Sequence, residues 1–225
     1  MERLEQITLS ERVYQALKQH IIERQVAPQD KLDIQALSQQ LGVSRMPVID
    51  AIARLEAEGL VRRQNRVGTY VSPLDRTVYE EVFAARSMVE QWATAPAIAN
   101  LQEKDIQQLG ALLQEARQLL QDVTEETFQY RQFSIYDQQF HLTLVQLSRN
   151  VRVSQFYASL DSHMQIARVY SLRALKRSRE GQEEHEALLA AFSARDVEQA
   201  CLQQQIHLEC SRTSVLALLE QYRVL

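Results

Sequence analysis

Three histidines and one aspartate in the second half of the chain belong to the residue types that bind metal ions. Asp137 and His141 stand four residues apart in the segment DQQFH, and His185 and His207 follow at longer intervals. Three neutral imidazole nitrogens and a carboxylate oxygen suit a borderline divalent ion, with zinc first and nickel, manganese or iron as alternatives. The residue types are thus compatible with a metal centre, provided that the fold brings the four side chains together.

Helical periodicity places the first two of these residues near a protein core. Phe133, Phe140 and Leu144 recur at helical spacing around DQQFH. Residues three or four positions apart share one side of a helix. Asp137 and His141 would thus lie on or beside the buried stripe of one helix.

The other two histidines would lie on a pair of antiparallel helices that turn near Arg195. His185 comes ten residues before this turn and His207 twelve residues after it. At a rise of about 1.5 Å per residue, the difference corresponds to an offset of only about 3 Å. The two imidazoles can therefore face each other at one level.

Spacing alone leaves other interpretations of these residues open. A histidine on an apolar face is often a hydrogen-bonded core residue, and an Asp-His pair at this spacing is often a helix surface pair. An ion could also activate water in a hydrolase. The sequence has no HExxH, glycine-rich phosphate loop or nucleophile elbow, and this lack argues against an enzyme.

Composition predicts a mostly helical protein of two domains. The 225 residues are 45% hydrophobic and 24% charged, with only five glycines and four prolines. No apolar run is long enough to span a membrane, and the amino terminus is unlike a signal peptide, so we expect a cytoplasmic protein without membrane contact.

The first third of the chain has the pattern of a winged helix-turn-helix. Residues 1–75 carry ten basic and ten acidic residues, whereas residues 76–225 carry fifteen and nineteen. A helix is predicted from about residue 10 to 25, followed by a short helix, a turn at Gly42 and a second helix that opens at Ser44. After Gly59, alternating residues predict two short strands joined by a turn. We assign this fold to residues 1–75.

The residue types of this region suit DNA, although winged helices also bind proteins. Arg45 stands at the start of the second helix, where an arginine can bond guanine O6 and N7. Arg62, Arg63 and Arg66 can meet phosphates or the minor groove. The run LGVSRMPVIDAIARLEAEGLVRRQNRVGTYV then closely resembles the GntR family of bacterial transcription regulators. This resemblance implies binding to double-stranded operator DNA, and the predicted contacts are Gln35, Ser44, Arg45, Met46, Pro47, Arg54, Asn65, Arg66 and Gly68.

One departure from the family pattern lies in the second helix. The family commonly has an arginine and then a glutamate where this chain has Ile49 and Asp50. That arginine usually faces DNA, so its replacement removes a charged contact. The operator would differ, or binding would depend more on Arg45, Gln35 and the wing.

Residues 76–225 are predicted to form an all-helical bundle of about six helices. The expected helices lie at about 75–100, 103–121, 124–148, 151–177, 180–193 and 196–222. The pattern of DQQFH, LSRN at 147–150, EH at 184–185 and His207 looks like the FCD ligand-binding domain of FadR-type GntR regulators. The resemblance implies that Asp137, His141, His185 and His207 bind a divalent metal that helps hold a small carboxylate. A count of six helices would favour the VanR-like subgroup.

Two further residues are candidates for effector binding. Arg86 matches an arginine that often points into the effector cavity of this domain, and a guanidinium can grip a carboxylate. A salt bridge with Glu90 is the alternative. Asn150 could touch the cavity or cap a helix. His163 could line the cavity, and His20 would be structural.

Together these observations predict a dimeric, metal-containing transcription regulator that responds to a small carboxylic acid and is not an enzyme. Dimerisation is expected of the helical domain because a two-fold operator needs two recognition helices. A regulator that senses the metal without an organic effector is the first alternative, and a metal-dependent hydrolase is the second.

Overall fold

The computed structural model describes residues 8–22, 25–27, 29–64, 67–72, 76–160, 164 and 174–221. The chain divides into two compact units, Met1–Leu74 and Asp75–Leu225. The division falls within one residue of the boundary predicted after residue 75. Each unit has its own core and is described separately.

The first unit contains three helices and a small sheet. Its elements are α1 (Leu9–Ile22), β1 (Lys31–Leu32), α2 (Ile34–Leu41), α3 (Arg45–Ala57), β2 (Val61–Gln64) and β3 (Gly68–Val71). Strand β3 lies between β1 and β2 and is antiparallel to both. The winged helix-turn-helix is thus present, and β1 is an addition to it. A strand of two residues has no periodicity by which the sequence could reveal it.

Local capping explains the tight turn between α2 and α3. Asp33 precedes α2, and its Oδ1 accepts hydrogen bonds from the backbone N–H groups of Gln35 and Ala36 at 2.8 and 3.2 Å. Gly42 ends the helix with φ 65°, a left-handed conformation that glycine adopts without a steric penalty. The chain can therefore reverse at once into α3, whose buried residues pack against α1.

The second unit is a bundle in which the structure describes six helices. They are α4 (Arg76–Asn100), α5 (Glu103–Gln118), α6 (Tyr130–Leu147), α7 (Val151–Ser159), α8 (Leu175–Ser193) and α9 (Val197–Gln221). Helix α4 packs against α6 and α9, while α5 packs against α6 and α8. The predicted fold class is confirmed. None of the described helices is both long and apolar enough to cross a membrane.

Three predicted helix limits were wrong. Helix α6 begins at Tyr130 rather than 124, because Thr124 and Thr127 close a turn in which the Thr127 hydroxyl accepts from the Thr124 N–H at 3.0 Å. Helix α7 ends at Ser159 rather than 177. Helix α8 begins at Leu175, so that Gly181 lies inside it and not at a boundary.

The turn between α8 and α9 occurs where the sequence predicted it. Arg195 has φ 55° and connects the two helices. Its guanidinium donates to the carbonyl oxygens of Ile98 and Leu101 at 3.1 and 2.8 Å. The turn of the hairpin is thereby fixed to the carboxyl end of α4.

Candidate metal centre and DNA-contacting surface

Asp137 and His141 lie one turn apart on the buried side of α6. Their residues are 8% and 0% exposed, and Phe133, Phe140 and Leu144 are buried on the same side of this helix. The apolar stripe turns both polar side chains into the bundle. The interpretation of this pair as an exposed surface pair is therefore wrong.

The α8–α9 hairpin brings the other two predicted ligands to the same place. The Nε2 atom of His185 lies 3.1 Å from Nε2 of His141 and 3.4 Å from Nε2 of His207. Oδ1 of Asp137 lies 3.7 Å from the same atom of His185 and 4.0 Å from that of His141. The four residues thus converge from three helices, and the three histidines form a buried cluster able to hold a metal ion.

The distances between the nitrogen atoms fit a common ion. Two nitrogen ligands at about 2.1 Å from an ion, with an angle of about 90° to 109° between them, are about 3.0 to 3.4 Å apart. The separations of 3.1 and 3.4 Å lie at these values. The geometry therefore suits tetrahedral or octahedral coordination.

Two carboxylates lie beside the Nδ1 atoms of His207 and His141, and the Nε2 atoms of the same rings face the proposed ion. Oε2 of Glu184 lies 2.8 Å from Nδ1 of His207. Oε2 of Glu90 lies 3.1 Å from Nδ1 of His141, although the angle is not that of a hydrogen bond. The carboxylate of Glu184 holds the imidazole proton of His207 on Nδ1 and leaves a lone pair on its Nε2. Arg86 can only donate, so its contact with Nε2 of His141 also requires a lone pair on that atom. Lone pairs that face one another repel unless a cation lies between them, and so the set of donors fits a metal ion.

Burial also favours the metal-binding protonation state. Burial, and next the neighbouring imidazoles, hold the pKa of His185 well below its usual range. Burial and the charges of His141 and Arg86 do the same to the pKa of His207. Because a metal binds the neutral imidazole, neither residue needs to lose a proton at neutral pH.

Arg86 makes the predicted salt bridge and also reaches the cluster of histidines. Its Nε donates to Oε1 of Glu90 at 2.6 Å, and its Nη2 lies 3.1 Å from Nε2 of His141. Burial opposes ionisation of Glu90, but Arg86 and His141 hold the pKa of that carboxyl well below its usual range. The salt bridge and a position beside the metal site are thus compatible. Contact between Arg86 and an effector stays a prediction.

Glu90, on α4, contacts three other helices around this site, beginning with His141 on α6. Besides the Arg86 bond, Oε2 accepts from Nε2 of Gln204 on α9 at 2.7 Å, and Oε1 accepts from the Tyr157 hydroxyl on α7. Glu184 is held in a similar way, because Arg177 donates to both of its oxygens at 2.8 and 2.7 Å. These outer residues fix the orientation of the histidine rings.

Sequence reasoning missed the roles of these outer residues. Glu184 directly precedes His185, and Glu90 lies one turn from Arg86, so both positions carry a local signal. Gln204 and Tyr157 reach Glu90 from other helices. No spacing within the sequence reveals such contacts.

The remaining predicted residues of this unit have simpler roles. Asn150 precedes α7, and its Oδ1 accepts from the N–H groups of Arg152 and Val153, each at 3.1 Å. It is therefore a helix cap, and effector contact by Asn150 stays a prediction. His163 lies outside the described residues.

Five of the predicted DNA-contacting residues, Gln35 and residues 44–47, lie around the start of α3. Ser44 occupies the N-cap position, but its side chain makes no capping bond. Arg45 is exposed, and its Nη2 donates to Oε1 of Gln35 on α2 at 2.8 Å. Met46 is 61% exposed, and Pro47 lies in the first turn. The structure thus groups Gln35, Arg45 and Met46 at the amino end of α3.

The other members of this set lie elsewhere in the first unit. The guanidinium of Arg54 forms an ion pair with Glu11 and lies 3.7 Å from the centre of the Tyr14 ring, so it is engaged with α1. Gly68 begins β3 with φ 149°, and a Cβ there would lie 2.6 Å from Cε of Lys31. Asn65 and Arg66 lie outside the described residues. Contact of any of these residues with DNA stays a prediction.

Comparison with protein families identifies both units. The model for bacterial regulatory proteins of the gntR family matches residues 9–71, and the model for the FCD domain matches residues 81–209. The chain belongs to the gntR family and carries an FCD domain. The family predicted from the sequence is confirmed, whereas the VanR-like subgroup stays a prediction.

The gntR regulators that resemble this chain include uncharacterised and named proteins. YdhC of Bacillus subtilis, an HTH-type transcriptional regulator, is 25% identical over 187 residues, which are 83% of this chain and 82% of YdhC. BphR of Paraburkholderia xenovorans is 26% identical over 216 residues, 91% of this chain and 84% of BphR. These names describe DNA-binding transcription regulators and point away from an enzyme.

Solved structures of gntR regulators share the fold. Escherichia coli McbR/YncC has a TM-score of 0.77 at 24% identity, with 96% of this chain and all 100% of that chain covered. A GntR transcriptional regulator from Rhodococcus sp. RHA1 has a TM-score of 0.76 at 19% identity, with 92% and 97% covered. At these identities the likeness establishes the architecture alone.

Proposed function

We propose that this gntR regulator binds operator DNA as a homodimer and responds to a small carboxylate through a divalent metal held by Asp137, His141, His185 and His207. The observation that carries the proposal is the convergence of three buried Nε2 atoms, 3.1 and 3.4 Å apart, beside the guanidinium of Arg86. The gntR domain supplies the DNA binding.

The residues around the proposed ion suit an anionic ligand. When bound, the ion supplies a Lewis acid to which a carboxylate oxygen can coordinate. Arg86 can offer the same carboxylate charge-assisted hydrogen bonds. Three imidazoles and one carboxylate favour zinc, with nickel, manganese or iron as alternatives.

Sensing of the metal without an organic ligand is the second candidate. Arg86 argues against it, because a buried guanidinium beside a divalent cation is repelled unless an anion lies between them. Glu90 pairs with Nε of Arg86 but does not separate Nη2 from Nε2 of His141, which lies 3.1 Å away. A carboxylate that bridges the ion and Arg86 resolves this repulsion.

A screen of small carboxylic acids against the metal-loaded protein tests the proposed response. We expect one acid to raise the melting temperature with the logarithm of its concentration above its dissociation constant, and to change operator affinity by about 5- to 150-fold at fixed metal concentration. Arg86→Met combined with Glu90→Gln leaves no buried charge unpaired, so this double variant should retain the metal and lose the response. An operator affinity that follows free metal concentration, with no effect of any acid in the panel, would support metal sensing instead.

The outer face of α4 supports the proposed homodimer. Its exposed residues between positions 82 and 100 are Ala84, Met88, Gln91, Trp92, Ala95 and Ala99, and the two charged residues of this stretch, Arg86 and Glu90, are buried. An exposed helix face normally carries charged residues. An uncharged stripe about 22 Å long is typical of a surface that packs against another protein.

Replacement of both Met88 and Trp92 by glutamate is expected to produce a monomer. Four carboxylates would then meet across a two-fold interface, and like charges in contact cost several kcal/mol, which weakens the dimer by at least about 100-fold. Sedimentation equilibrium at micromolar concentration measures this change. Ile135→Glu, at a 43% exposed residue of α6, is the matched control. An unchanged dimer in the double variant would place the interface elsewhere.

A further inference from the structure

The outward face of α3 presents two large apolar side chains. Met46 is 61% exposed and Ile49 is 37% exposed, whereas Val48, Ile52 and Leu55 of the same helix are buried in the first unit. Residues three positions apart lie on one side of a helix, so Met46 and Ile49 form one continuous patch. The patch is separate from the core of this unit.

Neighbouring contacts define both edges of this patch. On the side of α2, Arg45 is held by Gln35 at 2.8 Å. On the side of α1, Asp50 accepts a hydrogen bond from the Ser10 hydroxyl at 3.2 Å. Met46 and Ile49 lie between these edges, on the part of α3 that no other element of the unit covers among the described residues.

The chemistry of the major groove offers one apolar partner for such side chains. Each base edge there presents hydrogen-bond donors and acceptors, and only thymine adds a methyl group. A hydrocarbon side chain against the edge of guanine, cytosine or adenine removes water from polar groups and gives them no partner. Against thymine, it buries a methyl group.

We infer that Ile49, with Met46 beside it, reads thymine methyl groups next to a guanine that Arg45 contacts. Arg45 and Ile49 are four residues apart, about 6 Å along the helix axis, and base pairs are stacked about 3.4 Å apart. The thymine therefore lies one or two base pairs from the guanine. The inference rests on the operator binding proposed above and adds the base that this chain selects.

Replacement of thymine by deoxyuridine tests this inference, because it removes the C5 methyl group and leaves every hydrogen-bonding atom. The 225-residue protein is first used to select its operator from random DNA. We expect each deoxyuridine at the thymine beside the guanine to weaken wild-type binding about fourfold, the factor that corresponds to about 0.8 kcal/mol for one buried carbon group. Deoxyuridine at the other thymines of the operator should leave affinity unchanged.

Ile49→Ala identifies the side chain that reads the methyl group. This variant should bind the thymine and deoxyuridine operators equally, whereas Leu9→Ala, at a 49% exposed residue of α1, should keep the wild-type fourfold difference. The inference would be overturned if the wild type bound the two operators equally or if the selected site had no thymine beside the guanine. It would also be overturned if Ile49→Ala showed the same fourfold loss as the wild type. If the wild type showed no preference for any selected DNA over random DNA, operator binding itself would fail.

Discussion

His185→Leu is expected to leave the protein folded and almost free of bound metal. His185 contributes the nitrogen that lies closest to both other imidazoles, at 3.1 and 3.4 Å, and leucine fills most of its volume without a ligand atom. Loss of a residue that merely supports a ligand already weakens metal binding about 10- to 100-fold, so loss of the ligand itself should reach at least about 100-fold. Metal content after dialysis against a weak chelator measures the effect.

The control for this variant is His20→Leu, which changes a histidine of α1 in the first unit. It should keep the wild-type metal content. Asp137→Ala adds a second test, because a carboxylate 3.7 Å from Nε2 of His185 should also bind the ion, and its loss should lower metal affinity. Wild-type stoichiometry in both His185→Leu and Asp137→Ala would show that the four residues form a hydrogen-bonded core without a metal.

Glu90→Gln is expected to lower the free energy of unfolding of the second unit by about 3 to 5 kcal/mol. The substitution keeps the volume of the side chain but leaves the guanidinium of Arg86, which is 3% exposed, without its buried counter-ion. The substitution also replaces one oxygen of a carboxylate that accepts hydrogen bonds from Gln204 and Tyr157. Urea unfolding of the metal-free protein, followed by the fluorescence of Trp92, measures this change, since Trp92 is the one tryptophan of the chain and lies on α4.

A double variant separates the charge from the packing at this site. Arg86→Met combined with Glu90→Leu removes both charges, and replacement of a buried ion pair by apolar residues costs less than loss of one partner. We therefore expect it to be more stable than Glu90→Gln. Glu81→Gln, on the exposed side of the same helix, should change stability by less than about 0.5 kcal/mol. If Glu90→Gln cost no more than Glu81→Gln, Glu90 would not be the connecting residue of the bundle.

Much of the metal site could be predicted because helices are regular. The apolar stripe of Phe133, Phe140 and Leu144 places Asp137 and His141 on one buried face, and the structure has both there. The position of a turn then fixes which residues of two antiparallel helices lie level with each other. Arg195 marks that turn, and the imidazoles of the hairpin lie 3.4 Å apart as a result.

The parts that could not be predicted depend on contacts between elements distant in the sequence. Glu90 accepts hydrogen bonds from Tyr157 and Gln204, which lie 67 and 114 positions further along the chain, and no periodicity connects such distant positions. The start of α6 was placed six residues too early because the Thr124 turn interrupts a segment that is otherwise suited to a helix. Strand β1 exists only because β3 lies beside it.

The two hydrogen bonds from Arg195 to the end of α4 fix the turn of the α8–α9 hairpin, so any tilt of the hairpin has this turn as its pivot. His185 lies ten residues from this pivot, an arm of about 15 Å. A tilt of the hairpin by about one degree displaces its imidazole by about 0.25 Å, which already exceeds the tolerance of about 0.2 Å in a metal–ligand bond. We therefore expect the tilt of this hairpin to change with occupancy of the proposed metal site, because a small shift of the ion would require a small rotation of the hairpin.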